Sequence, residues 1–557
     1  MSPETLTASG GALAQGHRAE DIQRAVVRIA ILSALMVMAA MAWTRNVNWD
    51  EFYFLSHIHA HLGGYLDRPL QTAFVHAFSW LARVPGHEVD QIASARLVMM
   101  CFFAATCLSI HRISAALADE ASADIAVLAF LTSGFAIAHG GSFRADPMAA
   151  SLLMGAVALI MTTRMGLWSV LGVGVLSALA LLVTVKSALY LPVFLAAILW
   201  RWDDRSVVLR IVGAGALALL IAGALFHIHA ASLTIQKTAS GDLGEAARIT
   251  LGGSGLLPRI DELALWAMLS AGPFLLALAG LRFAPNRKMQ AVLILFSGPL
   301  LSVILYRNAF PYFFPFAVPP LMIAVALGAR ALQGKMIWKL ALVLMLASGG
   351  MQALRALNED NAAQRATIAE VHRLFPAPTA YIDQNGMMSS FPRHGFFMST
   401  WGIATYRAAG RPVMADLIAR EKPPLLLANR AELRAALRPE KADPTLIGLL
   451  PEDAEVLRST YVHHAGAIWL AGQEAQLGMG RAVLRMPFAG RYRLEATGPV
   501  VVNGVRLRSG DVAELPETPL RITAAPGTHV RLIWYTGAGP ARSPLPETDL
   551  YAGFWRL

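Results

Sequence analysis

Two adjacent carboxylates, Asp50 and Glu51, stand early in the stretch NVNWDEFYFLSHIHAHLGGYLDRPLQT (46–72), just after the first strongly apolar run. A solvated loop would be more polar and less aromatic. A core helix would not tolerate two neighbouring acids without partners. A second acid pattern, Arg144-Ala145-Asp146-Pro147, falls between the third and fourth apolar runs, where Pro147 suits the first turn of a helix. Ionisable groups at a membrane boundary are costly to bury, so function is the first reading of both acids. The structural alternative is interfacial capping, which Asp146 also suits. A carboxylate so placed can give or take a proton. Glu51 then either shares that task or orients its neighbour.

The elements that must position these residues follow from composition. The chain has 557 residues, is 55% hydrophobic and only 15% charged, and has a mean hydropathy of +0.49. Soluble domains carry roughly a quarter charged residues, so most of this chain belongs in lipid. The net charge of +10 reads as cytoplasmic flanking of membrane spans. No basic helix or aromatic RNA platform accompanies it, so nucleic acid is not the expected partner. Cys101 and Cys107 share one apolar run. Six helical residues separate them by about 9 Å of rise, too far for a disulfide, and they read as packing residues. Residues 1–21 are small and polar, with no cleavage site after the apolar run, and read as a disordered cytoplasmic tail before a retained anchor.

About eleven windows approach the roughly 20 apolar residues that a bilayer requires: 25–44, 93–111, 124–139, 147–163, 167–185, 188–200, 207–226, 264–281, 289–306, 313–331 and 337–353. With the N-terminus inside, the cytoplasmic connections hold Arg112, Arg164, Arg201, Arg205, Arg210, Arg282, Arg287, Lys288, Arg330, Lys335 and Lys339. That is the positive-inside bias. It puts 45–92, HGGSFRADP, Lys186, the 227–262 loop, YRNAFPYF and everything after about 354 on the opposite face. The expected fold is thus a mainly α polytopic membrane domain over 22–354 with an outer loop at 45–92. A periplasmic α/β domain over 355–477 and a β module over 478–557 follow. In these, NEDNAAQRATIAEVHRLF and NRAELRAALRP read as helices, TAYID and PPLLLAN as strands, and the alternation in GRYRLEATGPVVVNGVRL as antiparallel β structure.

The Asp-Glu pair after the first span, the second acid between spans three and four, and a lysine after span five together resemble the GT-C glycosyltransferases. In pattern they are most similar to the protein O-mannosyltransferase and aminoarabinose (lipid A) transferase group and the rhizobial galacturonosyltransferases. VLSALALLVTVKSALYLPVF resembles that group's lysine-and-proline segment, and YRNAFPYFFPFAVPPLMIA its later Arg/Tyr/Pro-rich span. The likeness covers about 25–355. It departs at Asp67-Arg68-Pro69-Leu70, where many relatives carry His-Pro-Pro.

The resemblance implies a sugar donor on a polyprenyl phosphate, used at the outer face of the bacterial inner membrane on a hydroxyl of a lipid, glycan or protein acceptor. It implies Asp50 as general base, with Glu51 and Asp146 completing the catalytic set. Cations must hold the phosphate that leaves with the lipid. Lys186 and Arg307 are placed best by resemblance, and Arg144 and Arg68 are further candidates, each otherwise a snorkelling interfacial cation. Tyr53, Tyr306 and Tyr312 are candidates for the substrate groove or for an interfacial aromatic belt. Some GT-C enzymes use a divalent ion, here Mg or Mn, for which Asp50 and Asp146 are the candidate ligands. His57 and His61 have the spacing of a metal pair on a helix, but no third ligand has recognisable spacing.

Two rivals remain. A transporter would show ionisable groups near the midplane on broken helices, whereas the charges here gather at span ends. An O-antigen ligase-like enzyme would depend on arginines and a histidine in a late outer loop.

Overall fold

The computed structural model describes residues 3–233, 256–396, 398–441, 443, 445–539 and 544–551, with side chains from residue 21 onward except at 400 and 401. The chain forms two units. The first comprises Met1–Arg45, His61–Leu81 and Ala93–Glu359; the second comprises Asn46–Ala60, Ala82–Ile92 and Asp360–Leu557. The expected outer loop 45–92 is therefore divided, and much of it belongs with the C-terminal residues. Part of the expected loop 227–262, namely 234–255, lies outside the described residues.

In the first unit all eleven apolar windows are helical. Among the described residues five helices have the length and composition to cross a membrane, and three bent pairs bring the number to eight. The bends are 85° between Ile260–Leu269 and Ala271–Arg282, 47° after Arg287–Phe296, and 47° between Pro311–Ala317 and Pro319–Leu332. The other three windows give shorter helices. The window 124–139 breaks after Glu120–Thr132, where Phe135 takes a left-handed conformation (φ 74°). The neighbouring windows form Leu167–Val183 and Val185–Trp200, parted at Thr184 by an extended backbone (φ −159°, ψ 140°). At the other end the first helix runs Pro3–Thr44, so the stretch expected to be a disordered tail is helical. Alanine, leucine, glutamate and arginine favour it, and no proline after Pro3 interrupts it, although Gly10, Gly11 and Gly16 oppose it.

Without a hydrophobic drive between helices in lipid, close packing needs small residues at the crossing. Ala271–Arg282 and Met322–Leu332 meet that requirement reciprocally. A Cβ on Gly328 would overlap the carbonyl of Leu276, and one on Gly280 would overlap the carbonyl of Ala324.

The second unit is built on a mixed sheet. Three short parallel strands, Tyr381–Asp383 (β1), Arg393–His394 (β2) and Leu425–Leu427 (β3), lie in the order β3-β1-β2. β3 pairs antiparallel with the long strand Ile468–Leu477, which pairs in turn with Thr528–Trp534. Gly490–Ala496 and Val512–Leu515 complete that edge, and a separate four-stranded sheet spans Arg481–Ala524. The expected boundary at 477/478 therefore does not separate two sheets. The ladder of Ile468–Leu477 is completed by a strand from beyond it, and its backbone groups would otherwise lack partners. The helices Ala362–Leu374 and Ala431–Leu437 form where the sequence predicts them.

Candidate functional site

The local sequence explains how Asp50 is presented. Asn48 is the N-cap of the helix Trp49–Leu62: its Oδ1 accepts from the Asp50 N–H at 2.8 Å. Glu51 reaches back and accepts from the Asn48 N–H at 3.0 Å. This is a capping box written Asn-x-x-Glu. Glu51 is fully buried, whereas Asp50, one residue earlier on the same turn, is partly exposed. The two acids thus have different surroundings, and Glu51 fixes the turn that carries Asp50.

The backbone before this helix is held equally firmly inside the second unit. The buried Gln364 donates to the carbonyl of Val47 and accepts from its N–H, each at 2.8 Å. Asn46 donates to the Leu550 carbonyl at 3.1 Å, and the Ser389 hydroxyl donates to the Phe52 carbonyl at 2.8 Å. The Trp49 ring meets Tyr551 edge-on at 5.9 Å and lies under the Arg430 guanidinium at 4.9 Å. Tyr53 packs against His57 with ring centroids 4.2 Å apart.

The remaining predicted residues lie in the first unit. Arg144 is the N-cap of Ala145–Thr162 in extended conformation, which puts Asp146 in the first turn of that helix. Asp146 is buried and ion-pairs with Lys186, while its other oxygen lies 3.5 Å from Arg144 Nε. The Arg144 guanidinium in turn stacks 3.5 Å over the Tyr312 ring. Lys186 owes its place to the break at Thr184, whose hydroxyl accepts from the Lys186 N–H and donates to Gln71 Oε1 at 3.0 Å. Four residues from three distant segments thus form one cluster: Arg144, Asp146, Lys186 and Tyr312.

Beside it stand residues that the sequence reading missed. Arg45 Nη2 lies 3.4 Å from His139 Nδ1, and Arg96 donates to the carbonyls of Arg45 and Ala42 at 3.0 and 3.3 Å. Arg45 also ion-pairs with Glu359 at 3.8 Å. Arg45, His139 and Glu359 lie at or next to helix ends, whereas Arg96 lies inside the helix Glu88–Leu117.

Other predicted residues sit elsewhere in that unit. Arg68 is half-exposed and pairs with its neighbour Asp67 at 3.6 Å. Tyr306 packs on Phe313 at 4.7 Å. Arg307 lies near Arg259, and burial together with that like charge lowers its pKa. Arg259 itself stacks 4.1 Å over Phe310. His61 packs on His76 at 4.8 Å, and His76 shares a 2.9 Å hydrogen bond with His229. Among the described residues one group of three has the spacing of metal ligands, and it is neither the predicted acid pair nor His57 with His61. It is His87, Glu88 and His372 in the second unit.

No family model matches the chain, and no curated protein sequence matches it. Solved structures do. ArnT from Cupriavidus metallidurans bound to undecaprenyl phosphate superposes with a TM-score of 0.53 at 12% identity, over 76% of this chain and 96% of that one. The oligosaccharyltransferase of Archaeoglobus fulgidus matches over 89% of this chain and 76% of its own at 12% identity; its TM-score of 0.45 adds nothing to the fold assignment. The chain has a GT-C fold.

Proposed function

We propose that the chain is an integral-membrane glycosyltransferase that moves a sugar from a polyprenyl-phosphate donor to a hydroxyl acceptor at the outer face of the inner membrane, with inversion. The observation that carries this reading is the cluster of Lys186 and Arg144 on Asp146 with Tyr312 beneath Arg144. Residue types that the sequence singled out separately meet there, in a fold shared with a protein solved with undecaprenyl phosphate.

In the proposed reaction Asp50 accepts the proton of the acceptor hydroxyl, and the oxygen attacks the anomeric carbon. The carbon–oxygen bond to phosphate breaks, and its electron pair leaves on the lipid phosphate. Lys186 and Arg144 stabilise that developing charge, and Arg307 beside Arg259 is a second cationic position for the donor phosphate. Glu51 orients the turn of Asp50 through the capping box. Asp146 holds Lys186 and Arg144 in place as a positioning residue. Arg68 is a further candidate for the donor phosphate, and Tyr53, Tyr306 and Tyr312 are groove-lining groups.

A divalent ion on Asp146 does not fit this arrangement. Its carboxylate already carries an ammonium and a guanidinium, and a third cation would be repelled. No step is assigned to such an ion.

The test is sugar transfer from a purified polyprenyl-linked donor by variants of matched thermal stability. Asp50→Asn should lower turnover about 10²–10⁴-fold while leaving donor binding intact, and Lys186→Ala should weaken donor binding. Normal turnover by Asp50→Asn would end this reading.

A further inference from the structure

The sequence Pro85-Gly86-His87-Glu88-Val89-Asp90 fixes a helix start with unusual care. Gly86 takes φ +102°, and a Cβ there would overlap the Asp90 carboxylate. Asp90 accepts from the His87 N–H at 3.0 Å and pairs with Arg365 at 2.5 Å. His87 is therefore held as the cap of the helix Glu88–Leu117, with Glu88 next to it. Arg365 belongs to the helix Ala362–Leu374, and His372 lies two turns further along the same face. The two helices thus present two cross-helix contacts in register, Arg365 to Asp90 and His372 to Glu88.

The second contact is more than a surface pair. Glu88 is 1% exposed, and burying a carboxylate is costly unless its charge is met. One oxygen lies 3.0 Å from His372 Nε2, and the other accepts from the Ser390 hydroxyl at 2.6 Å. The His87 ring stacks on that of His372, 4.5 Å apart and 10° from parallel. The three ligand atoms lie within 4.8 Å of one another.

We propose that His87, Glu88 and His372 bind a transition-metal dication of the zinc type. Two imidazoles and one carboxylate are a zinc donor set, leaving the fourth position to water; imidazole disfavours the hard ions magnesium and calcium. Bond lengths of about 2.0–2.2 Å require the ligand atoms to draw together, and His87, whose ring is solvent-exposed, has the freedom to do so. Ser390 is the outer partner that orients the carboxylate. The ion replaces the proton that would otherwise sit between Glu88 and His372, and it ties residues 82–92 to the helix Ala362–Leu374. With three protein ligands and a water the site is of the open kind, and it stands apart from the residues of the glycosyltransferase reading.

The test uses the full chain in detergent, stripped with a chelator and then given zinc or magnesium alone. Wild type should take up stoichiometric zinc by elemental analysis, and its melting temperature should rise with zinc but not with magnesium. His87→Ala, a change at an exposed ring, should lower zinc affinity at least about tenfold and abolish the melting shift, while melting like stripped wild type without metal. His372→Asn should behave in the same way towards zinc. No zinc uptake by wild type, or equal uptake and shift in His87→Ala, would overturn the proposal.

Discussion

Lys186 ion-pairs with Asp146 across forty residues of chain, and the two side chains keep only 14% and 2% of their exposure. A pair this enclosed gives up hydration on both sides, so each partner depends on the other.

Removing one member should therefore cost more than removing both. Lys186→Ala and Asp146→Asn are each expected to lower stability by up to about 3–5 kcal/mol, the range for breaking buried pairs. The double variant should recover part of that loss in a double-mutant cycle. Under the proposed function Lys186→Ala and Arg307→Ala also weaken use of the polyprenyl-linked donor more than use of the acceptor. Additive stability losses, or unchanged apparent donor affinity in both variants, would contradict these assignments.

The two neighbouring acids should separate kinetically. Asp50→Asn is nearly isosteric and touches water, so its melting temperature should stay near wild type while turnover falls about 10²–10⁴-fold, the usual cost of losing a general base. Glu51→Gln keeps an acceptor for the Asn48 N–H and should change turnover less. Glu51→Ala removes the capping box and should lower stability by roughly 1 kcal/mol. Equal kinetic effects of Asp50→Asn and Glu51→Gln would remove the distinction.

Asp383 at the end of β1 gives a pH signature for the second unit. Its carboxylate is buried and accepts from the N–H groups of Gly386 and Met387 and from Asn429 Nδ2, at 2.6–3.0 Å. Burial outweighs these bonds and the nearby Arg393, and raises its pKa. A raised carboxyl pKa means that the folded state favours the proton. That contribution is complete below the ordinary carboxylate range and is lost as pH rises through the elevated folded value. Asp383→Asn should therefore flatten the stability-against-pH curve over that window relative to wild type, and parallel curves would refute the assignment.

Topology is testable at one residue. Met479 is 92% exposed in the second unit. With Cys101 and Cys107 replaced, a Met479→Cys variant in intact spheroplasts should react with an impermeant thiol reagent. Protection until the membrane is opened would place residues 354–557 in the cytoplasm.

Much of this molecule was legible from its sequence alone. Apolar windows marked the span helices of the first unit because an α-helix satisfies the backbone of a span internally. Strands such as TAYID and PPLLLAN were readable because a buried parallel strand is a short apolar run. The acids and cations of the candidate site also stood out, because charge is rare in so apolar a chain. Residue type and spacing could not say which of them meet. Only the tertiary structure joins Asp146 to Lys186 and Arg144 to Tyr312, since the break at Thr184 and the turn before Ala145 set those side chains by packing across segments. Only it assigns Asn46–Ala60 to the C-terminal unit, through Gln364 on the Val47 backbone. His87 and Glu88 meet His372 for the same reason: the partners lie some 280 residues apart, and local periodicity carries no information over such a distance.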